Sequence, residues 1–369
     1  MRLTPVLLAL FFSACGAVPE LDRGAGEPAL AAPSPKTSAS IPIARAAPSS
    51  PDPIASASAP PASAPGGPAG SAGVSAPKPP SGEGRPEAAE RVLFLATHLR
   101  TDDLRKVCPT SLEEEARIRC LISFRYADDA EARELAFTLY NETGSLAGLL
   151  PEETTDDGRG GKVRLLPARP VGANRQHMTW IIEAFRSYKS FTAALSARAP
   201  IAFRDRPVDF RFYYSEKGGM PSAFAARRNI GYNLFGALNV SDVTVRDTLF
   251  HEVFHLNDGW RGDWSKRALS AIYQDIIARC GKRNACLSPY APTDTTIAGM
   301  SYAFAPQGGV REYAAELALR YFREHRLVMD GSPLPVRAFK CGPAENASTW
   351  RLLSDEFFGG VDLVPPCGG

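Results

Sequence analysis

A long stretch without aromatic residues confines the fold to the C-terminal part of the chain. No Phe, Tyr or Trp occurs between Phe12 and Phe94, and most of the intervening residues are Ala, Pro, Ser and Gly. Such a segment cannot bury enough apolar surface to offset the entropy cost of ordering it. We therefore predict a disordered tether over residues 16–87 and a folded region over residues 88–369.

The first fifteen residues are typical of an export signal. One arginine precedes an apolar run from Val6 to Phe12, which is too short to span a membrane and which ends at Ser13-Ala14-Cys15. Small residues directly before a cysteine resemble a bacterial lipoprotein signal, in which Cys15 becomes the lipidated N-terminus. The alternative is an ordinary signal peptide cleaved near Gly16. We expect an exported protein, anchored by lipid at the bacterial outer membrane.

The other six cysteines predict disulfide bonds. An even number of cysteines in an exported chain is typical of a disulfide framework. The six fall into three pairs of sequence neighbours, so we predict the bonds Cys108–Cys120, Cys280–Cys286 and Cys341–Cys367.

The order of helical and strand patterns predicts an α+β fold, mostly helical with a small mixed sheet. Helical patterns over residues 87–100, 111–126, 130–150 and 175–198 define a helical subdomain at 88–200. The second subdomain, 201–369, begins with strand patterns at 208–215 and 228–238. Helical patterns follow at 241–258, 264–281 and 309–326, with no alternation of strand and helix.

The motif "HEVFH" in the helix over 241–258 predicts a metal site. His251 and His255 are four residues apart, so both imidazoles lie on one face of a helix and can supply two ligands to a tetrahedral zinc ion. Glu252 lies one residue further round, where it can accept a proton from the attacking water in a hydrolysis reaction.

One helix supplies only two ligands, and three residues are candidates for the third. Asp258 is nearest in sequence, although a ligand there requires the helix to unwind early. His325 is a weaker candidate at a helix end. Glu312 is spaced i, i+4 from Glu316 on a helix that is otherwise largely apolar, where we expect carboxylates to have a partner such as a metal. The alternative is that both glutamates face solvent alongside Arg311 and Arg320.

The segments "HEVFHLND" and "SYAFAPQGGVREYAAELALRYF" together resemble the gluzincin metallopeptidases, with the anthrax lethal factor catalytic domain and the Mlc titration factor peptidases as the nearest pattern. The resemblance covers residues 228–322 and implies a zincin-like fold. It implies that Glu312 is the third zinc ligand and that Glu316 orients a ligating histidine. It also implies that Tyr302 assists at the oxyanion, although ten residues separate Tyr302 from Glu312, several more than in that pattern.

The resemblance also implies that the substrate pairs with an edge strand, and Asn229–Phe235 is in the expected place. The alternative is that this strand is interior.

Together these features predict a zinc metalloendopeptidase that acts on a peptide or protein substrate. The alternative is a surface-anchored binding or assembly module on a peptidase-like fold, with structural zinc or none. The net charge of +2 gives no argument for nucleic-acid binding.

Overall fold

The computed structural model describes residues 85–95, 101–156, 161–205, 207–216, 219, 221–297, 299–305 and 308–368. The predicted signal, Cys15 and nearly all of the predicted tether lie outside the described residues. Within the described part of the chain, no helix is both long enough and apolar enough to cross a membrane.

The described residues form an α+β fold in which helices predominate. The helices are α1 (Arg85–Leu93), α2 (Thr101–Val107), α3 (Glu114–Arg125), α4 (Ala130–Thr143), α5 (Arg175–Ser196), α6 (Asp242–Trp260), α7 (Trp264–Ala268), α8 (Ser270–Cys280), α9 (Asn284–Leu287), α10 (Gly309–Met329) and α11 (Ala344–Phe357). The strands are β1 (Ala147–Leu149), β2 (Glu153–Asp156), β3 (Lys162–Pro167), β4 (Asp209–Ser215), β5 (Ala223–Ala226), β6 (Asn229–Asn233), β7 (Thr296–Ile297) and β8 (Met300–Ser301).

The main sheet is mixed and has the strand order β2-β3-β4-β6-β5, with β1 also pairing with β4. Strands β1 and β6 run parallel to β4, whereas β3 runs antiparallel to it. The pairing of β3 with β4 joins segments on both sides of the subdomain boundary that we placed at residue 200. The second sheet in the described residues is the two-stranded hairpin β7-β8.

Three predicted helices are shorter than the sequence patterns indicate or are interrupted. The helix predicted over 87–100 ends at Leu93, and Phe94 and Leu95 are not helical. The helix predicted over 130–150 ends at Thr143, because Gly144 adopts a left-handed conformation (φ 71°) and its N–H caps the carbonyl of Tyr140. The residues that follow form β1 instead. The helix predicted over 264–281 is interrupted at Leu269, which separates α7 from α8.

Helix α6 begins at a capping box. The Ser241 hydroxyl accepts from the Thr244 N–H, and the Thr244 side chain in turn accepts from the Ser241 N–H. Ser241 is therefore the N-cap residue, and this cap fixes where α6 starts.

An aromatic layer packs α5, α6 and α10 together. The rings of Phe250 on α6 and Phe322 on α10 stack with centroids 4.2 Å apart, and Tyr188 and Phe191 of α5 meet Phe322 edge-on. Such ring pairs add specific geometry to the burial of apolar area. The layer holds α6 and α10 side by side, although these helices are far apart in sequence.

All three predicted disulfides are confirmed. The structure pairs Cys108 with Cys120, Cys280 with Cys286, and Cys341 with Cys367.

We predict that acid destabilises the fold through His325, which is fully buried on α10. Its Nδ1 lies 2.8 Å from the Tyr321 carbonyl oxygen, and its Nε2 accepts the Leu363 N–H, so the imidazole is neutral. Burial lowers the pKa of His325 to about 4, whereas an unfolded histidine has a pKa of about 6.5. The unfolded chain therefore binds the extra proton as pH falls from about 6.5 to about 4, and stability is lost over that window.

Urea unfolding of the full chain at pH 7 and pH 4.5 measures this effect. Between pH 7 and pH 4.5, we expect the free energy of unfolding to fall in both proteins. The fall should be roughly 2–3 kcal/mol smaller in His325→Gln than in the parent. Other titrating groups are common to both proteins and cancel in the comparison. An equal loss in both would contradict the assignment.

Candidate metal centre

Three buried side chains from two helices converge on one point. His251 and His255 lie on α6, and Glu312 lies in the first turn of α10. The Nε2 atoms of the two histidines are 3.1 Å apart. The Glu312 carboxylate lies 3.0 Å from Nε2 of His251 and 3.3 Å from Nε2 of His255. In the described part of the chain, these three residues form the one such cluster of metal-binding groups.

The spacing of these donor atoms fits a tetrahedral metal ion. Zinc binds imidazole nitrogen and carboxylate oxygen at about 2.0–2.2 Å, which places neighbouring ligand atoms of a tetrahedron about 3.4 Å apart. The two Nε2 atoms, and each Nε2 atom with its nearer Glu312 oxygen, are 3.0–3.3 Å apart, slightly below that value; Oε2 is the oxygen nearer His251 and Oε1 the one nearer His255. Two imidazole nitrogens that face each other at 3.1 Å also need a cation or a proton between them. The His251, His255 and Glu312 cluster can therefore hold a metal ion.

The electrostatics of the cluster also favour a positive charge. Burial by itself lowers the pKa of His251, but hydrogen bonds to Glu312 and Glu316 outweigh burial and raise it well above its ordinary value. For Glu312, burial raises the pKa, but the neighbouring histidines outweigh that effect and lower it well below the usual range. Two buried carboxylates thus stabilise a cation at this point, and a divalent metal ion meets the same demand.

Glu316 orients the first of the two histidines. It lies one turn beyond Glu312 on α10, and its Oε1 is 2.9 Å from Nδ1 of His251. A carboxylate there accepts the Nδ1–H, so the Nε2 lone pair faces the metal position. The Nδ1 of His255 has no hydrogen-bond partner in the described residues.

Gly308 makes room for the Glu312 side chain, and Gly309 follows it in a left-handed conformation. A Cβ at Gly308 would lie 2.2 Å from the Glu312 side chain, and Gly309 has φ 63°, which favours glycine. The two glycines lie in the "APQGG" segment that separates Tyr302 from Glu312. Gly308 therefore serves the position of Glu312.

Glu252 lies beside the cluster and is hydrogen-bonded to an edge strand of the main sheet. Its carboxylate accepts the Ala225 N–H of β5, and its Oε2 has no partner in the described residues. Burial raises the pKa of Glu252, and the two histidines only partly offset this rise. A buried carboxylate with one free oxygen is suited to taking up a proton.

The strand that borders the site is β5, and our expectation for Asn229–Phe235 was wrong. Strand β6 lies between β4 and β5, because it pairs in parallel with β4 on one side and, across the tight turn at Arg227 (φ 57°), antiparallel with β5 on the other. The Asn233 N–H donates to Ser222 at the start of this pairing. Since hydrogen-bonded pairs alternate in an antiparallel ladder, Ala225 directs its N–H away from β6.

Tyr302 reaches the cluster despite its distance from Glu312 in sequence. Its hydroxyl donates to Glu312 Oε2 at 2.8 Å, and its ring lies 5.9 Å from the His251 ring, centroid to centroid. The preceding hairpin, β7-β8, holds this position, because the Tyr302 N–H donates to the Thr295 carbonyl at 2.8 Å.

The two other candidates for the third ligand lie elsewhere. Both Asp258 oxygens are engaged by Ser265, through its N–H at 2.7 Å and its hydroxyl at 2.8 Å. This arrangement ties the end of α6 to α7. His325 is held by Tyr321 and Leu363, as described above. Neither belongs to the cluster.

Thr293 is a site residue that the sequence did not indicate. Its hydroxyl donates to Glu316 Oε2 from a loop 23 positions earlier in the chain. A threonine among other small polar residues carries no spacing signal, so only the folded loop identifies it.

No family model, curated protein or solved structure matches this chain.

We predict that Glu312, and not Asp258, is required for zinc binding. Glu312→Gln removes a charged donor from the cluster and should weaken zinc binding by at least about 100-fold. Asp258→Asn is the matched carboxylate-to-amide control and should retain the affinity of the parent. Zinc content and competition with a chelator measure both in the full chain. A larger loss in Asp258→Asn would contradict the ligand set.

Proposed function

We propose that this protein is a zinc-dependent peptidase. The proposal is carried by one observation: the His251, His255 and Glu312 cluster lies next to a buried glutamate, Glu252, which is hydrogen-bonded to an outward N–H of an edge strand. That arrangement combines a metal site, a proton acceptor and a main-chain surface for an extended peptide. Zinc is the best match for this donor set because one carboxylate and two imidazoles are common ligands of catalytic zinc.

The chemistry supported by these groups is hydrolysis of an amide bond. When bound, zinc polarises a carbonyl group and makes water more acidic. Glu252 then accepts a proton from the attacking water and delivers it to the nitrogen of the leaving amine. The Tyr302 hydroxyl, which donates to Glu312 Oε2 in the structure, would turn its one proton to the carbonyl oxygen as negative charge develops on that oxygen.

A peptide is the substrate class that the surroundings favour. The edge strand β5 presents the N–H and carbonyl of Ala223 and the carbonyl of Ala225 away from β6, whereas the Ala225 N–H is already bound by Glu252. An extended peptide can pair with such an edge through its own backbone, with little dependence on side chains. The site residues are nearly fully buried, with His255 and Glu312 the most exposed of the three ligands at 8% each. Access to a long substrate therefore requires the site to open.

The alternative of a binding module with structural zinc explains less. A structural site needs its ligands but does not need a buried carboxylate such as Glu252 beside them. Burying that carboxylate with one oxygen unpaired carries a cost in free energy, which a catalytic role justifies.

We further propose that the protein is exported and held at a membrane by lipid on Cys15. Three disulfide bonds support export, since such bonds persist outside the reducing cytoplasm. The anchor itself lies outside the described residues, and labelling of the protein with a radioactive fatty acid tests it.

We predict that Glu252→Gln keeps zinc but lowers hydrolysis by at least about 100-fold, as expected for loss of a general base. The substitution preserves the shape of the side chain and its contact with Ala225 N–H. Cleavage of a library of internally quenched peptides measures activity, and zinc content measured on the same samples is the control. Substantial activity in the zinc-loaded variant would contradict the role of Glu252 as general base.

We predict that Tyr302→Phe lowers the rate constant kcat by about 10- to 100-fold while zinc affinity changes little. The phenylalanine retains the ring beside His251 but lacks the hydroxyl. If zinc affinity and kcat fall together, Tyr302 acts by holding Glu312, and its role at the oxyanion is excluded.

A further inference from the structure

The Glu316 carboxylate is held on both of its oxygens. Oε1 faces His251 Nδ1 at 2.9 Å, and Oε2 accepts the Thr293 hydroxyl. All three side chains are buried, so water does not compete for these bonds. A buried carboxylate with one oxygen free can rotate about its last bond, but one bound at both oxygens cannot. The Thr293 hydroxyl therefore decides which way Glu316 presents Oε1.

We propose that Thr293 is a positioning residue for His251, acting through Glu316. The inference rests on the proposed function in one respect, namely that His251 ligates zinc. With its Oε2 bound by Thr293, Glu316 accepts the Nδ1–H of His251 at Oε1. That hydrogen bond selects the tautomer with a free lone pair on Nε2, which is the form that binds a metal.

The loop that carries Thr293 is built to hold the hydroxyl in place. Thr293 and Thr295 have their hydroxyl oxygens 3.2 Å apart, and the Thr295 carbonyl accepts the Tyr302 N–H. The Ser301 N–H in turn donates to the Asn284 side chain at 3.0 Å. Asn284 lies within the loop closed by the Cys280–Cys286 disulfide. Thr293 and Tyr302, which these hydrogen bonds connect, thus contact Glu316 and Glu312, respectively.

Loss of the Thr293 hydroxyl should have a large effect on zinc affinity, because in the described residues His255 has no hydrogen bond like that of His251 to Glu316. His255 Nδ1 lacks a hydrogen-bond partner in the described part of the chain. The Thr293–Glu316–His251 chain is therefore the orienting network that the described residues provide for the histidine ligands. Partners of this kind typically change metal affinity by 10- to 100-fold when they are removed.

The test is the zinc dissociation constant of the full chain, measured by competition with a chromophoric chelator. Thr293→Val keeps the shape but removes the hydroxyl, and we expect zinc binding to weaken by about tenfold or more. Thr293→Ser restores the donor and should stay within about threefold of the parent. Thr143→Val is the matched control, because Thr143 is also a buried threonine whose hydroxyl donates, in this case to the Leu139 carbonyl on α4.

A double variant separates positioning from a general structural role. If Thr293 acts through Glu316, then adding Thr293→Val to Glu316→Gln should weaken zinc binding no further. Additive losses would overturn the proposal, and so would a Thr293→Val protein that binds zinc like the parent. If the parent binds no zinc at all, the proposed function itself fails, which is a distinct result.

Nitrogen-15 NMR of His251 in the zinc-loaded parent and in zinc-loaded Thr293→Val gives a second readout. A metal held by Nε2 leaves the proton on Nδ1 in both proteins, so the measured quantity is how fast that proton exchanges with water. We expect faster exchange in Thr293→Val, and equal exchange rates would overturn the proposal.

Discussion

The contact between α6 and α10 sets the geometry on which the whole site depends. Phe250 and Phe322 stack at 4.2 Å between ring centroids, and Phe250 immediately precedes His251. The His251 side chain therefore lies next to the contact between α6 and α10, where it faces Glu312 and Glu316 on α10. Because protein cores are closely packed, a change in this ring pair would shift both helices and the ligand atoms with them. The aromatic layer is thus part of the site, although none of its members contributes a ligand.

The residue pairs that the sequence predicted are those whose geometry is local. His251 and His255 share a face because four residues advance a helix by about one turn, and the same holds for Glu312 and Glu316. The cysteines paired with their neighbours in sequence for a related reason, since a short loop closes at a smaller entropy cost. The meeting of α6 with α10 came only from the resemblance to a family, because 61 positions separate His251 from Glu312.

The features that the sequence did not predict depend on contacts across the fold. Strand β5 has four residues, and the alternation of its side chains is too short to be recognised. Its position outside β6 follows from the parallel pairing of β6 with β4, a contact between segments distant in sequence, so the edge of the sheet could not be assigned from the strand pattern alone. Thr293 is identified by a single hydroxyl contact with Glu316, and Gly308 by the space that Glu312 needs. Neither contact leaves a periodic signal.

The placement of the covalent cross-links would give a metal ion at the His251, His255 and Glu312 cluster a second, structural role. The three disulfides join residues 12, 6 and 26 positions apart, so each closes a small loop. None of them ties α6 to α10. A metal ion held by His251, His255 and Glu312 would be the cross-link that closes the long loop between these helices, and closing a longer loop removes more freedom from the unfolded chain. Metal supply would then govern the lifetime of the folded protein as well as its chemistry, and the metal-free chain would be the form most open to degradation.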